Sequence, residues 1–327
     1  MKRFKSILCI ADSSEKSMPA IEKAVALAEN NQASLKVVDV IDSNMIGGLM
    51  VEQKYVGNEI REQLVSSHLQ ELDAFLENFR QGVDIESAVI IGTPFLEIIY
   101  EVLRNSHDLV IRVAEDPDWL DKLFGSDDMH LIRKCPCPVW LVKPGKTKTY
   151  RRILAAVDVT ETGEQAEIET RWQLNRQILE MAASIAITDF AELHILHVWD
   201  AVGESAMRGA FMHKTEEEIQ TYVEEVRTRH ATALERLFDE VATSMPDSFD
   251  YLKPKKHLLK GWARKAIPKA VSDIQADLVV MGTVVRTGIP GFIIGNTAEE
   301  VLNQLTCSVL AVKPPGFTSP VTLEGQQ

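Results

Sequence analysis

The stretch Gly282-Thr-Val-Val-Arg-Thr-Gly-Ile-Pro-Gly-Phe-Ile-Ile-Gly-Asn-Thr-Ala-Glu299 is punctuated by glycine and runs into a helical pattern. Glycine lets a main chain approach an anion closely, and Gly295, Asn296 and Thr297 at a helix start can aim free N–H groups at a phosphate. Asn296 or Thr297 serves equally well as an ordinary helix cap, so a capped helix after a turn is the competing reading. Asp158, directly after an apolar run, is the carboxylate best placed to join such a site. His194 and His197 are three apart in a strand-like run, so their side chains point to opposite faces and share no metal. They read as core or edge histidines. Cys135-Pro-Cys137 lacks the second ligand pair of a zinc site, and the four cysteines are too few and scattered for a disulfide framework, which leaves them as packing thiols. No serine or cysteine near the loop has a histidine base at recognisable spacing, and no kinase, hydrolase or dehydrogenase signature is complete. The sequence therefore offers no catalytic residue and no metal site.

Those residues are positioned by a pattern that occurs twice. Ser6-Ile-Leu-Cys-Ile-Ala-Asp12 matches Arg152-Ile-Leu-Ala-Ala-Val-Asp158, and His107-Asp-Leu-Val-Ile-Arg112 matches Ala276-Asp-Leu-Val-Val-Met-Gly282. Cys137-Pro-Val-Trp-Leu-Val-Lys-Pro144 matches Cys307-Ser-Val-Leu-Ala-Val-Lys-Pro314, at an offset of about 170 residues. Short β-branched runs predict strands at 6–11, 34–41, 84–91, 108–113 and 138–143, and again at 152–157, 191–199, 252–260, 277–281 and 308–313. They alternate with helical patterns, the mark of βαβ units. Between the second and third strands of each half lies a long amphipathic segment. Its stripe is Ile60, Leu64, His68, Leu72, Phe75 and Phe79 in one copy and Ile219, Tyr222, Val226, Ala233, Leu237 and Val241 in the other.

The expected architecture is α/β, with two tandem open parallel sheets of five strands in the order 3-2-1-4-5, flanked by helices. The boundary is expected at Pro144-Gly-Lys-Thr-Lys-Thr149, giving domains 1–148 and 149–316 and a tail at 317–327. In such sheets ligands bind beyond the carboxyl ends of the strands where the strand order reverses, here between the first and fourth strands. Pro138-Val-Trp-Leu-Val142 and Val309-Leu-Ala-Val312 form edges with few charges, so the two halves are expected to join edge to edge, and whole chains to dimerise.

The run Met281-Gly282-Thr283, the loop to Gly295-Asn296-Thr297-Ala298-Glu299 and the ending Cys307-Ser-Val-Leu-Ala-Val-Lys313 resemble the universal stress protein family. Its nucleotide-binding members carry G-x-x-G, nine residues, then G-S/T. The resemblance reaches to about Gly316 and is nearest the tandem, E-type branch, whose ending is similar to His130-Leu-Ile-Arg-Lys-Cys-Pro-Cys-Pro-Val-Trp-Leu-Val-Lys143. It implies an adenine nucleotide site, ATP with magnesium, in the second half. Asp158 and the backbone of Val198 then fall at the adenosine end, with Gly282, Thr283, Gly295, Asn296 and Thr297 at the phosphates. Val285 stands where the motif has its second glycine and Asn296 where it has serine or threonine. Valine disfavours positive φ and takes up space, asparagine still donates, and Arg286 adds a charge.

The first half departs further. Arg112-Val-Ala-Glu115 loses both early glycines, and Glu115, Asp116, Asp118 and Asp121 oppose phosphate. Only Gly125-Ser126 remains of the cradle, although Asp12 and Val40 stand where Asp158 and Val198 do. Trp119, Leu120, Leu123 and Phe124 read as core or interface.

The net charge is −13 and both halves are acidic, which argues against nucleic acid as a partner. No apolar run approaches the roughly 18 residues of a membrane span and no signal segment precedes Asp12, so a cytoplasmic location is expected. The function that the resemblance implies is stress tolerance through sensing a small ligand or contacting partners instead of turnover. Two alternatives stay open. One is a slow ATPase; the other binds a hydrophobic metabolite against Val284, Val285, Ile289, Phe292, Ile293 and Ile294.

Overall fold

The protein is seen in a computed structural model that describes residues 4–44, 56–115, 127–145, 149–209, 214–283 and 295–323. In the first half the elements, numbered among the described residues, are β1 (Ser6–Ile10), α1 (Met18–Asn31), β2 (Ser34–Asp42), α2 (Val56–Leu76), β3 (Ile85–Gly92), α3 (Pro94–Asn105), β4 (Leu109–Val113), α4 (Asp127–Lys134) and β5 (Val139–Val142). The second half runs β6 (Arg152–Val157), α5 (Gln165–Asp189), β7 (Glu192–Trp199), α6 (Glu204–Met207), α7 (Glu216–Ser244), α8 (Pro246–Leu252), β8 (Lys255–Lys260), α9 (Ala263–Ile274), β9 (Leu278–Gly282), α10 (Asn296–Leu302) and β10 (Ser308–Val312). The strand expected over 252–260 starts later, because Pro246 opens a helix through Leu252.

Each half has the expected parallel order, β3-β2-β1-β4-β5 and β8-β7-β6-β9-β10. The two expected sheets are, however, one sheet of ten strands. β5 and β10 pair antiparallel with Leu310 opposite Trp140, so each apolar edge satisfies the other's main-chain groups. Both strands are buried along their whole length, as strands covered on both faces must be.

The core is shared in the same way. On one face, Ile7, Val37 and Ile111 join Ile153, Ile195 and Val280 in a single apolar cluster under α1, α5 and α7. On the other, Leu8 and Val110 join Leu154 and Val279 under α3, α4, α9 and α10. The four cysteines are buried in these layers. The segment after β10 is docked on the first half: Ser319 Oγ donates to the Lys134 carbonyl and Val321 packs against the second cluster.

Two repeated devices explain repeated sequence. The aspartate of each Asp-Leu-Val motif accepts two main-chain N–H groups at the start of the neighbouring first strand. Asp108 takes those of Lys5 and Ser6 at 2.7 and 3.2 Å, and Asp277 those of Arg151 and Arg152 at 2.7 and 3.0 Å. This locks the first and fourth strands in register beneath the crevice. The helices α1, α3, α5 and α9 all end on a left-handed residue that is not glycine, namely Gln32, Ser106, Phe190 and Gln275. α7 begins with a capping box, Thr215 and Glu218 each accepting the other's main-chain N–H. No helix among the described residues is long and apolar enough to cross a membrane.

Candidate functional site

A cleft of about 1090 Å³ opens at the carboxyl ends of β6, β7 and β9, at the strand-order reversal. Asp158, Val198, Gly282, Asn296 and Thr297 line it. Five of the nine sequence-predicted site residues are thereby brought together. Val285 and Arg286 lie outside the described residues, as do Val284, Ile289, Phe292, Ile293 and Ile294.

Thr283 and Gly295 hold the loop ends instead of lining the cleft. Thr283 is fully buried: its N–H donates to the Val312 carbonyl, its own carbonyl accepts the Gly295 N–H at 3.1 Å, and its hydroxyl meets Lys313 Nζ at 3.3 Å. That hydrogen bond ties the two ends of the 283–295 loop together and uses the Gly295 amide within the protein. Burial pushes the Lys313 ammonium down to about 8, against the pull of Cys135 and Cys137. In α10 the first main-chain N–H bonded back to the preceding turn is that of Glu299, onto the Gly295 carbonyl. The glycine at 282 has a packing reason of its own. A Cβ there would stand 2.6 Å from Leu174 Cδ2, so the Leu174 side chain would have to shift.

Asp158 is set by residues that sequence reasoning missed. Asn175, buried on α5, accepts the Asp158 N–H at 3.0 Å and donates to the Asp158 carbonyl at 2.7 Å. The carboxylate itself accepts the Thr160 N–H at 3.0 Å and lies 3.5 Å from Arg171 Nε, while Arg171 also binds the carbonyls of Thr160 and Thr162. One helix thus fixes the whole 158–162 loop and leaves the Asp158 side chain 54% exposed toward the cleft. The only sequence signal was a buried-face asparagine in an otherwise apolar helical stripe.

The far wall comes from β7, α7 and the turn after β8. His197 Nδ1 lies 3.1 Å from the Val157 carbonyl and its Nε2 lies 2.9 Å from Nδ1 of His230, a cleft residue on α7. His194 takes a different partner, His257 of β8, at 2.9 Å. Burial lowers the basicity of all four rings. Trp262, 55% exposed, and Val202, 81% exposed, stand at the mouth with Tyr222, whose hydroxyl donates to the Val202 carbonyl. Among the described residues no group of three or more His, Cys, Asp or Glu side chains is placed to hold a metal.

Among the described residues of the first half, charge pairs stand at the matching position. Where β9 carries Met281, β4 carries Arg112, which pairs with Glu115 at 3.0 Å and Asp128 at 3.2 Å. Burial pushes the Asp12 carboxyl up, but hydrogen bonds from Ser14 and Ser17 outweigh it and hold the group below its ordinary value. One carboxylate oxygen, Oδ1, takes all three of these bonds within its own loop. Residues 116–126, with Trp119, Leu120, Leu123, Phe124, Asp116, Asp118, Asp121, Gly125 and Ser126, lie outside the described residues.

The profile of the universal stress protein family matches residues 3–143 and again 149–313. The chain belongs to the universal stress protein family. Along its whole length it is similar to the universal stress protein E homolog of Haemophilus influenzae, 28% identical over 322 residues that cover 95% of this chain and 98% of that one. Universal stress protein E of Escherichia coli K12 is likewise 28% identical over 333 residues, covering 100% of this chain and 99% of that one. Among solved structures, a universal stress protein fold is shared with a protein of unknown function from Pseudomonas aeruginosa PAO1, at a TM-score of 0.65 and 24% identity, covering 96% of this chain and 94% of that one. A universal stress protein from Archaeoglobus fulgidus superposes at a TM-score of 0.56 and 18% identity, covering 94% and 96%. The universal stress domain thus occurs twice in tandem in this chain.

Proposed function

We propose that this universal stress protein binds a small ligand, an adenine nucleotide, in its C-terminal cleft, and acts in the cytoplasm through ligand-dependent contacts instead of turnover. One observation carries the reading. Asp158, Val198, Gly282, Asn296 and Thr297, drawn from four separate stretches of chain, line one cleft large enough for a nucleotide. The first half, where Arg112 and its carboxylates occupy the matching region, serves packing or partner contact. With no cluster of metal ligands among the described residues, magnesium would arrive on the phosphates of ATP. Ligand binding at the ends of β6 and β9 acts on a sheet that continues into the other half, so it can shift the surface shown to partners or to a second copy of the chain.

A second reading is favoured by the wall chemistry. Leu174, Ile178, Leu196, Val198, Val226 and Met281 line the same cleft, which suits an apolar metabolite. Native mass spectrometry of the freshly purified chain separates the two by the mass retained. Titration calorimetry with ATP and magnesium then tests the first directly: binding weakened by Asp158→Ala supports it, and no heat of binding sinks it. Phosphate release under the same conditions would instead show the slow ATPase.

A further inference from the structure

His197 and His230 form a relay whose direction follows from its buried end. The Val157 carbonyl can only accept, so at 3.1 Å the proton sits on His197 Nδ1. The Val159 N–H lies 3.5 Å from the same nitrogen, too far to compete. His197 Nε2 is then a lone pair, and the proton between the two rings, 2.9 Å apart, belongs to His230 Nδ1. His197 is 1% exposed, so this polarity is set inside the protein. His230 Nε2 is left as an acceptor with no hydrogen-bond partner among the described residues, on a ring that lines the cleft.

The same architecture stands in the first half. Asp39, one residue before Val40 as His197 is one before Val198, is bonded at 2.8 Å to His68 of α2. A strand residue at the crevice holding a helix histidine is therefore built into the repeat. Only in the second half does that histidine border the large cleft.

We propose that His230 is a ligand-recognising residue of the C-terminal cleft, its Nε2 accepting a hydrogen bond from the ribose 2′-hydroxyl or the exocyclic amine of the bound nucleotide. This rests on the nucleotide reading above and adds to it the residue that discriminates. The donor is at the nucleoside end, since His197, which holds the His230 ring, directly precedes Val198 and is bonded to the Val157 carbonyl next to Asp158, and Asp158 and Val198 are the residues which that reading puts at the adenosine. Protonation of His230 would turn the acceptor into a donor. Burial and Arg229 on the same helix oppose that, Asp158 and Glu161 from the facing loop favour it, and the balance keeps the ring below its ordinary basicity. Binding should therefore be intact at neutral pH and weaken as acid reaches the ring.

Three nucleotides and two variants of the full chain test this by calorimetry: ATP, 2′-deoxy-ATP and the purine riboside triphosphate that lacks the exocyclic amine, with His230→Phe and His230→Gln. Loss of one such hydrogen bond should lower ATP affinity about 5- to 10-fold in His230→Phe. His230→Gln, whose amide oxygen still accepts, should recover part of the loss, and the penalty should vanish for the analogue that lacks the recognised donor. The acid-side weakening seen in the unaltered chain should be absent from His230→Phe. Nitrogen-15 histidine spectra at neutral pH should show His230 protonated on Nδ1. Unchanged ATP affinity and pH profile in His230→Phe overturns the proposal while leaving nucleotide binding standing. So does a penalty that persists for both analogues, or a proton on Nε2. Failure of the unaltered chain to bind any of the three overturns both readings together.

Discussion

Lys23 of α1 donates to Asp189 at the end of α5, an ion pair between the two halves whose side chains are 4% and 6% exposed. Asp189 also accepts the Tyr150 N–H at 2.7 Å, and Lys23 Nζ stands 4.0 Å above the Tyr150 ring. The residue that follows the interdomain linker is thereby fastened to both halves at once. Burial lowers the basicity of Lys23 despite its partner, so the pair is a desolvated charge held in place by geometry.

Removing one partner should therefore cost more than removing both charges. Asp189→Asn leaves Lys23 buried and uncompensated, with an expected loss of about 3–5 kcal/mol in urea unfolding. The pair Lys23→Met with Asp189→Asn should recover most of it, since the asparagine oxygen still accepts from Tyr150. Equal losses in the single and double variants would assign the cost to packing and not to a stranded Lys23 charge.

Asn175→Ala should damage stability and ligand affinity together. It strands the Asp158 N–H and carbonyl beside a buried void, at a cost of about 2–4 kcal/mol for two lost bonds. Chemical denaturation and ATP calorimetry on one preparation give both values. An affinity that survives the destabilisation would mean that the 158–162 loop is held by Arg171 alone.

Glu101 carries a stability contribution that acid removes. His107, its Nε2 3.8 Å away, and Lys36, at 2.8 Å, hold its carboxyl down to about 2 against burial. The folded state thus binds the proton less tightly than the unfolded chain. The contribution is complete above the ordinary carboxylate range and is lost as pH falls from about 4.5 toward 2. Glu101→Gln should cost about 2–3 kcal/mol at neutral pH, and its difference from the unaltered chain should close over that acid window. A difference independent of pH would assign the loss to packing.

Phe190→Gly should stabilise the protein. Phe190 caps α5 with φ of 54° and is 82% exposed, so the side chain contributes little burial while holding a strained backbone. Relief of the left-handed strain should outweigh glycine's added chain entropy by about 0.5–1 kcal/mol, read as a higher Tm. A lower Tm would mean that the ring makes contacts worth more than the strain.

The duplicated order of strands, the crevice at the ends of the first and fourth strands, and Asp158 beside it were all legible in the residues. They depend on local pattern: β-branched runs, helical stripes, and a topology that right-handed crossovers leave little freedom to vary. The Asp-Leu-Val repeat was visible too, but its reason was not. Asp108 and Asp277 act on main-chain groups 103 and 126 residues away.

By itself, then, the sequence determined two copies of one βαβ pattern, the strands that carry them, an acidic net charge in both halves, and Asp158, Gly282, Asn296 and Thr297, which border the cleft. Tertiary structure alone decided that β5 and β10 fuse the copies into one sheet, that Thr283 and Gly295 tie the loop instead of lining the cleft, and that His230 does line it. The physical reason is that each of these is a contact between distant segments. Local periodicity says which face of an element is apolar, but only packing chooses which buried polar atoms meet, and an atom left without a partner costs free energy once water is excluded.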